Sequence, residues 1–264
     1  MKKFFCAILL IIISASAFSD NKKKILASIP PVAGLTKMIV GDLYDVELIQ
    51  RKPACPHHYN LKPSQHKLIK EADIIIYIND SFESSIADFA STTNSKKIIL
   101  SNFQGINLDN NFHIWLNLDN LKIILNNLYN ILYEIDDEDA KAILTINYNL
   151  ALKKLDSIKP KKIEGKMVFI GHSLKHLIND VSEDNLYVKK VSSLKATTDL
   201  QRQIAFLAPK CIIYDSAEGI KSLTSLYKGK LIGVDVENWG KISNLENFVT
   251  DYMSEIYRTI NDCD

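Results

Sequence analysis

The sequence predicts an α/β protein of two lobes, each a parallel sheet with flanking helices, joined by one long rigid helix with a ligand cleft between the lobes. Short apolar runs alternate with helical stretches from residue 24 to 101, and the alternation resumes from 166 to 260. Such alternation is what parallel βα units produce. Between the halves, Leu118 to about Ile158 keeps helical periodicity almost without breakers.

In the first half, "KILASI" (24–29) is a short strand ended by Pro30 and Pro31. "VAGLTKMIV" (32–40) has helical spacing and stops at Gly41, a residue that favours the position just after a helix. "DVELIQ" (45–50) is a strand, followed by "CPHHYNLKPSQH" (55–66). Pro63 suits the first position of a helix over 63–72. "DIIIYIN" (73–79) is nearly continuous in apolar residues, as in a sheet covered on both faces. A helix over 81–91 and the strand "KKIILS" (96–101) complete this half.

The central stretch is interrupted at "EIDDEDA" (134–140), whose acids suit the start of a second helix. From there one helix of roughly 30 Å reaches the second half, at 1.5 Å per residue. A helical connector is stiffer than a loop, so large lobe closure is resisted. The second half reads as strand 166–171, helix 173–181, strand 186–191, helix 197–208, strand 211–215, helix 217–228, strand 230–236 and helix 244–260. The expected divisions are a leader at 1–19, an N-terminal lobe at 20–117, helices at 118–160 and a C-terminal lobe at 161–264.

Composition narrows the function. With 32 basic and 31 acidic side chains, nothing suggests nucleic acid as a partner. "MKKFFCAILLIIISASAFSD" has a charged start, a short apolar run and small residues, the layout of a cleaved secretory signal. Cleavage after Ala17 or Ser19 is expected, and Cys6, at the head of the apolar run, is not read as a lipid-attachment site. A periplasmic, unanchored monomer is expected. Export implies an oxidising compartment. Cys55, Cys211 and Cys263 then remain, so at most one pair closes within the chain. Cys211 bridged to Cys263 would pin the C-terminus; otherwise Cys211 is a small buried hydrophobe and Cys263 a free thiol near the end.

The histidines carry the functional signal. His57 and His58 follow the strand at 45–50, His113 follows the fourth strand, and His172 follows "KMVFIG". In open α/β sheets, ligands bind outside the carboxyl ends of the strands. Asp235, ending "KLIGVDV", is expected to face the same cleft. Imidazole nitrogen suits zinc, and a carboxylate adds an anionic oxygen; calcium and magnesium prefer oxygen alone. His66 is expected to face solvent on its helix, and His176 to be packed or solvated.

At these positions the sequence resembles the periplasmic metal-binding proteins of zinc and manganese ABC importers. "HHYNLKPSQ" is similar to that family's His-x-Tyr/Phe-x-x-x-Pro-Ser segment, which implies His57 and not His58 as the ligand. "HIWL" resembles its His-x-Trp-Leu, and "VFIGHSLKHL" the start of its second lobe, implying His113 and His172. "GVDVENWG" resembles the closing Asp-Pro-Leu-Gly-like segment, implying Asp235 as fourth ligand, but it lacks the proline and offers Glu237 as a competing carboxylate. Asp215 matches an acidic position of the family that supports the cleft from behind. The resemblance favours a Cys211–Cys263 disulfide.

Capture of one zinc ion per chain and its delivery to an inner-membrane ABC permease are what the resemblance implies, without enzymatic turnover. Manganese members carry glutamate where His172 stands, so a histidine there points to zinc. The His-rich loop common among zinc members is missing, since residues 82–112 contain no histidine. Manganese import is the alternative. A zinc hydrolase would need an open position and a base such as Glu237 or Asp215, and no H-E-x-x-H occurs. An adhesin on this scaffold would leave the cleft histidines dispensable. Tyr59 is expected to pack, and Cys55 to lie near the site but outside its direct ligands.

Overall fold

The computed structural model describes residues 22–189, 194–216, 227–240, 242 and 244–264. The expected leader at 1–19 and the expected helix at 217–228, up to its last two residues, lie outside them.

The N-terminal lobe runs β1 (Lys24–Ala27), α1 (Pro30–Val40), β2 (Asp45–Leu48), α2 (Pro63–Glu71), β3 (Ile74–Tyr77), α3 (Ser84–Ala90) and β4 (Lys96–Ile99). The long helices α4 (Leu118–Ile135) and α5 (Glu138–Ser157) follow. The C-terminal lobe runs β5 (Met167–Ile170), α6 (Ile178–Val181), β6 (Asn185–Val188), α7 (Leu194–Leu207), β7 (Cys211–Asp215), β8 (Lys230–Val234) and α8 (Leu245–Asn261). The first sheet has order β2-β1-β3-β4 and the second β6-β5-β7-β8, all pairings being parallel.

The apolar runs become inner strands for a plain reason. Every residue of β3 and of β5 is buried, because helices cover both faces of each sheet. Each fully buried isoleucine contributes about 1.5–3 kcal/mol. α1 begins at Pro30, earlier than the spacing at 32–40 suggests, since proline lacks only an N–H that a first-turn residue leaves unused. It ends at Gly41, whose φ of 49° favours glycine.

Asn117 caps α4 by accepting the Asn120 N–H at 2.8 Å, and Asp137 caps α5 by accepting the Ala140 N–H at 2.9 Å. The two helices therefore form a hairpin turned by Asp136 and Asp137. The 20 residues of α5 span about 30 Å.

Helix α8 leaves the C-terminal sheet and packs against α1 of the other lobe. Gly34 permits this approach: a Cβ there would lie 2.8 Å from Val249 Cγ2 and 3.2 Å from the Leu245 carbonyl. Helices α1, α4, α5 and α8 share one buried core with both sheets. The lobes are thus tied twice, by the α5 connection and by α8 crossing back.

A disulfide joins Cys211, at the start of β7, to Cys263. It closes a loop 52 residues apart in sequence. In the chain-entropy picture such closure contributes about 4 kcal/mol.

The expected helix at 173–181 takes a different form. His172–Leu177 is a 3-10 segment, and only Ile178–Val181 is α-helical. The His172 carbonyl accepts the Asn111 side-chain N–H at 2.6 Å, so it is engaged across the cleft instead of within an α-helix.

Candidate metal centre

A cleft of about 560 Å³ opens between the carboxyl ends of the two sheets, lined by Cys55, His57, His58, His113, His172 and Glu237. That is room for a hydrated ion, at about 30 Å³ per water. Phe82, Ser173 and Asp215 also line it.

His113 is the most constrained of these. It follows a turn in which Asp109 (φ 44°) and Asn110 (φ 53°) are left-handed, a conformation that Asp and Asn tolerate better than other side chains. The imidazole is only 2 % exposed and sits among Phe82, Trp115 and His172, at ring distances of 5.4, 5.0 and 5.2 Å. Asn111 fixes its tautomer. Asn111 Oδ1 accepts the His113 backbone N–H at 2.9 Å and faces Nδ1 at 2.7 Å. A carboxamide oxygen can only accept, and Asn111 Nδ2 is committed to the His172 carbonyl, so Nδ1 carries the proton. In the neutral ring Nε2 is then a bare lone pair, and it lies 3.2 Å from Glu237 Oε1. Two electron-rich atoms facing each other need a proton or a cation between them.

His172 enters from the other lobe. Its amide lies at the end of β5, where Gly171 has φ 133° and a Cβ would lie 2.6 Å from Asp215 Cβ. Only glycine allows β5 and β7 to approach there. Burial, and then the charges of His113, Lys189 and His57, lower the His172 pKa to about 4. The ring is therefore neutral, and available as a ligand, throughout the physiological range. The segments that carry His113 and His172 are strapped together across the cleft. Asn111 Nδ2 donates to the His172 carbonyl, Lys175 pairs with Asp109 at 2.7 Å, and His176 Nε2 binds the Asn111 carbonyl at 2.9 Å. His176, expected to be packed or solvated, is buried.

The acids sort by geometry. Asp235, expected to face the cleft, is exposed and outside its lining. Strand β8 ends at Val234, so alternation no longer dictates which way Asp235 points. Its Oδ1 accepts the Glu237 N–H at 3.2 Å, and the turn so formed brings Glu237 inward instead. Burial disfavours the Glu237 anion, but the adjacent His113 imidazole and the Cys55 thiol outweigh it and hold the carboxyl below its usual range. Asp215 is buried at the end of β7, where it lines the cleft and accepts the Ser173 hydroxyl.

The loop between β2 and α2 carries the remaining donors. His57 and His58 both line the cleft and are exposed, their rings 4.6 Å apart. His57 stacks on Phe82 at 6.0 Å, and Phe82 in turn meets His113 edge-on. Gln50 Nε2 donates to the Ala54 carbonyl at 2.5 Å and Gln65 Nε2 to the Ile49 carbonyl at 2.6 Å, which hold the two ends of the loop. Tyr59 takes a hydrogen bond from Gln65 and does not line the cleft. His66, expected to face solvent, stacks on Phe89 at 4.2 Å and is half-buried, because α2 and α3 pack side by side. The Cys55 thiol is pushed up to about 12 by burial and by Glu237, so without a metal it is a protonated donor to that carboxylate.

The family model described as zinc-uptake complex component A, periplasmic (ZnuA), matches residues 25–172, more than half of the chain. The chain belongs to the ZnuA family. Members of this family are periplasmic metal-binding, substrate-binding proteins, and the two-lobed α/β fold fits that class. An uncharacterized protein of Rickettsia prowazekii is 31% identical over 260 residues, covering 95% of this chain and 87% of that one. The zinc-binding lipoprotein AdcA of Streptococcus pneumoniae is 30% identical over 93 residues, 35% of this chain and 19% of AdcA. In fold, the chain is similar to a manganese-bound periplasmic metal binding protein of Candidatus Liberibacter asiaticus, with TM-score 0.74, 20% identity and coverage of 91% and 99%. It is also similar to the binding protein FpvC of Pseudomonas aeruginosa in complex with Mn2+, with TM-score 0.75, 15% identity and coverage of 92% and 98%. Among the described residues, no helix of this ZnuA-family chain is long and apolar enough to cross a membrane.

Sequence reasoning missed Asn111. Its side chain orients both His113 and the His172 carbonyl. The only available signal was a carboxamide two residues before a candidate ligand.

Proposed function

We propose that this chain captures zinc in the periplasm and hands it to the permease of an ABC importer, acting as a monomer and without turnover. The ligands in this reading are His113, His172 and Glu237, with His57 contributed by the loop after β2. The observation that carries it is His113 Nε2 lying 3.2 Å from Glu237 Oε1, with Asn111 holding the opposite ring nitrogen. Imidazole donors with one carboxylate make a borderline-soft set suited to zinc. A metal-ligating histidine whose other nitrogen is held by an oxygen acceptor is the usual supporting arrangement.

Release follows from the same geometry. The ligands come from both lobes, so docking on a permease that shifts either lobe slightly breaks the coordination without a large closure. A second reading, manganese as cargo, is favoured by the manganese bound in both structural relatives.

The test is metal content and zinc titration of the mature protein, with manganese as competitor. One tight zinc per chain is expected, lost in His113→Ala and Glu237→Gln and kept in Asp235→Asn. Displacement of zinc by equimolar manganese would move the protein to the second reading. Absence of any tight metal would sink both.

A further inference from the structure

Cys55 stands closer to the centre of the cleft than the family resemblance assigns it. Its Sγ, a ring nitrogen of His113 and a Glu237 oxygen all lie within 4.8 Å of one another. Ligand atoms held at about 2.0–2.3 Å in a tetrahedral zinc site are about 3.3–3.8 Å apart. Shifts of about an ångström therefore convert this triad into three corners of a coordination sphere. His57 and His58, by contrast, are exposed at the rim.

We propose that Cys55 is a direct metal ligand, its thiolate joining His113 and Glu237 in the corner given above to His57, with His172 from the facing lobe closing the sphere. This rests on the reading of the cleft as the metal site and deepens it. Three features of the structure support it. Cys211 and Cys263 are joined to each other, so among the described residues Cys55 is the free cysteine. Its backbone is anchored, since Gln50, a fully buried side chain at the end of β2, holds the preceding carbonyl of Ala54. Its thiol already points at the carboxylate that faces His113. Coordination replaces the S–H bond with an S–metal bond, and the proton leaves to solvent. His57 and His58, at the mouth, are then the first groups an incoming ion meets.

The consequence is selectivity. A thiolate is a soft donor that favours zinc, cadmium and cobalt over manganese, which prefers oxygen ligands. The thiolate thus strengthens the distinction that imidazoles alone make weakly.

The experiment is titration of the metal-free full chain with cobalt(II), reading the near-ultraviolet thiolate-to-cobalt charge-transfer absorption. The wild-type chain should develop this band to one equivalent, and Cys55→Ser should bind cobalt without it. The zinc-over-manganese preference of Cys55→Ser should fall by about tenfold or more, since even supporting residues around a metal change affinity about 10–100-fold. Cobalt bound by the wild type with no charge-transfer band would overturn the thiolate ligand and leave the metal-binding reading standing. A band that persists in Cys55→Ser, or an unchanged preference in that variant, would also overturn it. If the wild type binds neither cobalt nor zinc, both this inference and the proposed function fall together.

Discussion

The two lobes share one strand order and hold their halves of the site by different means. In the N-terminal lobe, the loops that carry Cys55, His57 and His113 rest on buried polar groups and aromatic rings. Gln50 and Glu83 are almost wholly buried, Glu83 accepts the Ile78 N–H, and Phe82 contacts His57, His113 and Trp115. In the C-terminal lobe, the frame is covalent: the Cys211–Cys263 bridge pins the end of α8 to the first residue of β7. Asp215, at the other end of that strand, receives Ser173 beside His172. The difference teaches that one topology can position ligands either by local packing or by a long-range tie. The tie holds the far end of the helix whose first turns pack on the other lobe.

The largest expected effect tests the covalent half. Replacing both Cys211 and Cys263 by serine should destabilise the metal-free protein by about 4 kcal/mol. Hydrogen exchange should report the loss mainly in β7, β8 and α8, and an equal loss in β1–β4 would break the contrast between lobes. The contact between the lobes comes next. Gly34→Ala puts a methyl 2.8 Å from Val249 Cγ2 and should cost about 1–3 kcal/mol by overpacking, read in denaturant melts. An unchanged midpoint would mean that α8 can slide on α1 and that the lobes are less firmly joined than their shared core implies.

Asn111 spans both halves, touching His113 on one side and His172 on the other. Asn111→Ala should weaken zinc binding about 10–100-fold, measured by competition with a chelator. A normal affinity would show that the strap at Asp109 and Lys175 suffices to align the two histidines. The smallest effect concerns Glu83. Burial pushes its carboxyl up to about 7, above the usual carboxylate value. A raised pKa contributes stability below the unfolded value of about 4.5 that is lost as pH rises through about 7. Glu83→Gln has no such titration. Its melting temperature relative to wild type should therefore rise between about pH 5 and about pH 8. A difference independent of pH would show that Glu83 stays ionised within the lobe.

Much of the fold was legible along the chain. Periods of two and of 3.6, with Pro30, Gly41 and Pro63 as punctuation, locate most strands and helices to within a few residues. These patterns are local and are set by which faces must be buried. The break at 134–140 was legible for the same reason: Asp137 caps one helix and the acids that follow suit its start. The segment after β5 was less so, because its helix type depends on Asn111, distant in sequence, engaging the His172 carbonyl.

The sequence by itself determined the two-lobed α/β class, the long helices between the lobes, and the fact that histidines stand at strand ends. Each of these follows from patterns over a few neighbouring residues. Only the tertiary structure decided that Glu237, and not Asp235, faces His113, that Asn111 sets the imidazole's tautomer, and that Cys55 reaches the same point. Asp235 and Glu237 are two residues apart, and a continued strand would aim both the same way. The strand stops at Val234, and the turn that follows, made by Asp235 with the Glu237 amide, selects one carboxylate. Distances between donors on separate segments depend on such turns and on how the lobes pack, and no local pattern encodes them.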